Sequence, residues 1–96
     1  MRLTPIEIDG IKKSLKSLDP CAQIFLYGSR TNDQLSGGDI DLVVISETLK
    51  FTDKLTLLVE LKTQLGDQKI DLTICSADES KKNPFIAHVL SQAIPL

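Results

Sequence analysis

The chain holds two cysteines, one histidine and no apolar run near the roughly 20 residues that a membrane-spanning helix requires. Cys21 and Cys75 make neither a disulfide framework nor a zinc site. Each falls at or in an expected strand, where a free buried thiol is the ordinary reading. His88 stands alone beside an apolar stripe and carries no expected catalytic role. An excess of one charge is also missing: 11 basic residues face 13 acidic ones, a net charge of −2. That balance leaves no basic field for a nucleic-acid duplex, so direct nucleic-acid binding is not expected. No signal-peptide pattern opens the sequence, because Arg2 runs straight into a helix cap and a charged helix. A cytoplasmic chain without a membrane segment is expected.

What is present is ordinary globular material. At 96 residues, 42% hydrophobic and 25% charged, residues 1–96 are expected to form a single domain. Thr4-Pro5-Ile6-Glu7 opens a helix, with threonine as cap, proline at the first helical position and glutamate closing a capping box. Ile8, Ile11, Leu15 and Leu18 share its apolar face, and Asp19-Pro20 ends it. Ala22 to Tyr27 reads as a short strand closed by Gly28, and residues 30–38 as a polar loop. Asp39 to Ile45 reads as a second strand. Thr52 to Leu65 reads as a helix with Leu55, Leu58, Val59 and Leu65 on its apolar face and Gly66 as its stop. Lys69 to Cys75 is a third strand. Ser76 to Glu79 caps a brief turn, and Asn83-Pro84 opens a last helix with a stripe of Phe85, Ile86, Val89, Leu90, Ala93 and Ile94. The order α-β-β-α-β-α predicts an α/β (α+β) fold, a small three- to four-stranded mixed sheet flanked by helices.

The second strand contains an anomaly. Asp39 and Asp41 lie within an apolar run, and burial of an unpaired carboxylate costs several kcal/mol or forces it to take a proton. Residues two apart share a face of a strand, so Asp39 and Asp41 point one way while Ile40, Leu42 and Val44 point the other. In the third strand Asp71 lies opposite Ile70, Leu72 and Ile74. If the two strands are neighbours, three carboxylates converge in front of the core. Their repulsion calls for a divalent cation, and oxygen-only ligation favours magnesium, with manganese possible, over zinc. Two ions roughly 3.5–4 Å apart would suit such a set. Gly28-Ser29 supplies a strand end where backbone can approach a ligand and where amides with the Ser29 hydroxyl can meet phosphate oxygens.

Gly28-Ser29, then Asp39-Ile40-Asp41-Leu42, then Ile70-Asp71-Leu72 on its own strand resembles the nucleotidyltransferase superfamily typified by DNA polymerase β. The run "YGSR…GDIDLVV" is most similar to the minimal nucleotidyltransferases (MNT) of bacteria and archaea. The resemblance implies that Asp39, Asp41 and Asp71 bind the metal ions, with Asp71 also helping to deprotonate the acceptor hydroxyl. It implies that Gly28 and Ser29 hold the nucleotide phosphates. Arg30 suits phosphate geometry and joins them as a candidate, with a plain loop position as the alternative. The implied reaction is attack of a hydroxyl on the α-phosphate of a nucleoside triphosphate, ATP by resemblance, with release of pyrophosphate. Many minimal members act as antitoxins beside a helical HEPN ribonuclease toxin, some by transferring AMP to a toxin tyrosine. Gly37-Gly38 departs from the polar residue common before the first aspartate.

Lys69 shares the face of Asp71 and is expected in a surface ion pair, with an offset to the negative charge of the site as the alternative. Tyr27 is expected as a packed strand residue with its hydroxyl at the rim. A chain of this length leaves a nucleotide pocket open on one side, so a homo- or hetero-oligomeric partner is expected to supply the missing wall. The alternative to catalysis is a binding module that neutralises its partner by occlusion. Transfer to a small molecule such as an aminoglycoside ranks third.

Overall fold

The computed structural model describes residues 3–27, 39–66 and 69–96, and of Asp39 the backbone alone. Helix α1 (Pro5–Leu18) starts as its sequence dictates. The Thr4 hydroxyl accepts the Glu7 amide at 3.1 Å, and the Glu7 carboxylate accepts the Thr4 amide at 2.9 Å. Then follow β1 (Gln23–Tyr27), β2 (Asp39–Ile45), α2 (Phe51–Leu65), β3 (Lys69–Cys75), α3 (Ala77–Lys82), α4 (Pro84–Gln92) and β4 (Ile94–Pro95). The strands form one sheet in the order β3-β2-β1-β4. β1 runs antiparallel to β2 and β4, while β2 and β3 are parallel and joined by α2. The expected mixed sheet flanked by helices is what forms.

Alternation along the strands sorts the side chains onto two faces. Ile24 and Leu26, Ile40, Leu42 and Val44, and Ile70 and Leu72 lie under α1 and α2, meeting Ile11, Leu15, Leu57, Leu61 and Leu65. Gln64 of α2 donates to the Ser14 hydroxyl of α1 at 2.6 Å, which fixes how the two helices sit side by side. The second face carries a smaller cluster of Val43, Cys75, Ile86 and Val89, with Tyr27, Ile45 and Leu90 packed against it. Helix α4 covers that half of the face. β2 is therefore apolar on both sides below its aspartates, as suits an interior strand.

Several expectations change. α2 begins at Phe51, and its buried face is Leu57, Leu61 and Leu65; Leu55 and Val59 are exposed. Apolar residues occupy most of the circumference of this helix, so periodicity alone leaves its inward face undecided. Gly66, with φ of 80°, ends it as expected. The brief turn at Ser76 continues into α3, capped by the Ser76 hydroxyl on the Glu79 amide. Phe85 is exposed, and Ala93 and Ile94 leave the last helix, Ile94 joining β4 opposite Leu26. Cys75 is buried, but Cys21 is exposed and precedes β1; both thiols are free. No helix among the described residues is long and apolar enough to cross a membrane.

Candidate active site

Asp41 and Asp71 come together because β2 and β3 are parallel neighbours in a register that sets Asp41 directly against Asp71. Paired residues on adjacent strands sit about 4.8 Å apart and point their side chains to one face. Asp71 is exposed and Asp41 half-buried. The backbone of Asp39 lies two residues before Asp41, opposite Lys69. Gly28, Ser29 and Arg30 lie outside the described residues, as does the side chain of Asp39. Among the described residues no group of three or more metal-ligating side chains converges. The site as described is a pair of carboxylates side by side at the entrance ends of two strands.

Tyr27, a packed strand residue as expected, also stands beside the two carboxylates. Tyr27 pairs with Asp41 across the β1–β2 ladder, so Tyr27, Asp41 and Asp71 form one row over three strands. Burial first, then the negative charges of Asp41 and Asp71, push the Tyr27 phenol above its ordinary range, while the Thr73 side chain draws it back. The ring packs against the α4 cluster below and the two carboxylates stand beside it. Tyr27 thereby divides the apolar half of this face from its acidic half. A strand-end tyrosine one register step from an aspartate is a signal only once the strand pairing is known.

The donor set fits a hard cation. Asp41 and Asp71 offer oxygen alone, and two like charges held side by side gain from a counter-ion. A thiol contribution is unsuited: Cys75 lies lower on β3, and burial, then Glu79 and Glu47, raise its pKa. A hollow of about 410 Å³ lined by Lys12, Lys16, Gln23, Phe25 and Pro95 shares no residue with the carboxylate pair. At the other end of β2, Asp19 accepts the Ser46 hydroxyl at 2.5 Å and the Cys21 amide at 2.9 Å. Those bonds, that from Ser46 foremost, lower its pKa, with Thr48 adding to them. That buried carboxylate ties the end of α1 to the end of β2 and stands apart from the site.

No curated protein matches the chain. The family of polymerase beta nucleotidyltransferases matches it over residues 9–96, which spans every strand and both of the paired aspartates. Parallel strands bearing an aspartate each, an antiparallel strand beside them and a match along nearly the full length agree on one conclusion: the chain belongs to the polymerase beta nucleotidyltransferase family.

Proposed function

We propose that residues 1–96 act as one catalytic domain, a minimal nucleotidyltransferase that moves AMP from ATP onto a hydroxyl of a partner protein. The biological role that suits it is that of a cytoplasmic antitoxin acting on a helical HEPN toxin. The observation that carries the catalytic part is the register of Asp41 against Asp71 in a chain of this family. The toxin partner and the choice of ATP rest on the similarity of the "YGSR…GDIDLVV" run to minimal members.

Asp39, Asp41 and Asp71 would hold magnesium, as two ions, with manganese as a substitute. A metal bound there would neutralise the carboxylates and supply positive charge against the phosphate oxygens. Gly28 and Ser29 cradle the triphosphate and Arg30 pairs with it. Asp71, the more exposed carboxylate, takes the proton of the incoming hydroxyl. The acceptor oxygen bonds to the α-phosphorus as the bond to the bridging oxygen breaks, and pyrophosphate leaves with the electron pair. Tyr27, packed on the α4 cluster and paired with Asp41, separates the acidic half of the face from its apolar half. Catalysis needs water kept from the reacting phosphate, and a partner, either another copy or the toxin, supplies that wall.

The test is incubation of the chain with its neighbour-encoded partner, labelled ATP and magnesium. Label should reach the partner, stop on chelation and resume when magnesium is restored. Asp41→Asn and Asp71→Asn should each lower transfer by about 10²–10⁴. Absence of transfer with a partner that stays inhibited by both variants would assign the chain to neutralisation by binding alone.

A further inference from the structure

β3 forms one edge of the sheet, and among the described residues it pairs with β2 only. The Cys75 carbonyl accepts the Ser46 amide at 2.9 Å, so Cys75 turns its main-chain groups toward β2. Main-chain groups alternate along a strand as side chains do. Lys69, Asp71 and Thr73 therefore face β2 as well, while Ile70, Leu72 and Ile74 present their amides and carbonyls outward. Natural edges are guarded by proline, by bulges or by charge in the path of an incoming strand. β3 has no proline, its register runs unbroken from Lys69 to Cys75, and its two charged side chains lie on the carboxylate face.

The helix above this edge carries a matching feature. Phe51, Leu55 and Val59 recur one turn apart on α2 and are 70%, 48% and 66% exposed. Phe51 and Lys54 line one hollow with Ile74 of β3, whereas Gln64 on the other flank bonds to α1. The stripe thus begins on the β3 side of the helix and climbs toward solvent.

We propose that this face receives a second copy of the same chain, β3 against β3 and antiparallel, about a two-fold axis normal to the sheet that passes between the two Leu72 residues. Full overlap of the strand sets Leu72 on Leu72, Ile70 on Ile74 and Asp71 on Thr73 of the second copy. Outward groups then meet outward groups, giving about six main-chain hydrogen bonds. Apolar side chains meet apolar ones on the core face. On the other face each aspartate meets a threonine, so no like charges are opposed. One symmetry operation brings the two α2 stripes toward each other as well, which an unrelated strand would not do. The three exposed side chains offer about 300 Å² of apolar surface per copy. A stable interface takes about 800 Å² per partner, roughly two-thirds apolar in homodimers. The outward β3 edge and the half-buried Leu58 beside it add to that surface. Among the described residues the dimer's sheet has eight strands, with both carboxylate pairs on one face and Thr73 of the second copy beside each Asp71.

Sedimentation of the full chain over a concentration series tests this, together with amide exchange resolved by residue. A dimer is expected, and Leu55→Glu, with its helical signal unchanged, should weaken it tenfold or more. In the dimer the Leu72 and Ile74 amides should gain protection at least tenfold over the Leu55→Glu variant, while the Thr73 amide, bonded to β2, stays equally protected in both. A chain that remains monomeric at high concentration overturns the proposal. So does a dimer in which the outward β3 amides exchange as fast as in the variant. Protection of those amides only on addition of another protein overturns it too, and assigns the edge to a foreign strand.

Discussion

At Asp19 and Tyr27 two polar groups are tuned in opposite directions by their surroundings. Asp19 is buried, and the bonds from Ser46 and Cys21 hold its carboxyl below the ordinary value. A depressed folded-state pKa adds stability above the unfolded value of about 3.9, and that stability is lost as pH falls through the lower folded value. Asp19→Asn should therefore melt earlier than the parent at neutral pH, and the gap should close in acid; melting curves across the range from neutral pH to below about 3 check it. Tyr27 has its pKa raised by burial and by Asp41 and Asp71. Its contribution is complete below the unfolded value of about 10 and fades as pH rises through the higher folded one. The chain has one tyrosine and no tryptophan, so phenolate absorbance reports this residue alone. Asp41→Asn should move its titration midpoint down, toward the ordinary range.

Helix α2 shows how an element's role is settled by its neighbours. Leu57 and Leu61 are fully buried against the sheet, while Val59 between them is exposed. Leu61→Ala should cost about 2–5 kcal/mol in denaturant unfolding. Val59→Ala should stay within about 0.5 kcal/mol when measured at concentrations that hold the chain monomeric. At α1 the reciprocal bonds of Thr4 and Glu7 make the cap a local matter, and Thr4→Ala should cost about 1 kcal/mol. Helix α4 works at longer range, for Ile86 and Val89 close the lower half of the face on which the aspartates stand.

Across the whole molecule, one side of the sheet is a continuous core and the other is split between α4 and the carboxylates. Opposed like charges on neighbouring strands cost up to about 1 kcal/mol. Asp71→Asn relieves that repulsion, and in metal-free buffer it should raise the melting temperature by a few degrees, although it lowers transfer. A melting temperature lowered by the substitution would instead mark Asp71 as a structural residue.

Much of this arrangement is legible from the chain alone, because it depends on neighbours a few residues apart. The caps at Thr4 and Asn83, the stop at Gly66 and the alternation that separates Asp41 from Ile40 and Leu42 all have periods of two to four residues. So does the Gly-Ser and Asp-x-Asp wording on which the family resemblance rests. Tertiary structure decided the rest, since it depends on pairs distant in sequence. Asp41 meets Asp71 through a parallel register set by the α2 crossover, and Asp19 meets Ser46 across a gap of 27 residues. Tyr27 becomes part of the acidic row only when β1 lies beside β2, and Leu57 rather than Val59 turns inward only when a sheet is there to face. Periodicity specifies which residues share a face. Which face is buried, and what it meets, follows from the packing of whole elements.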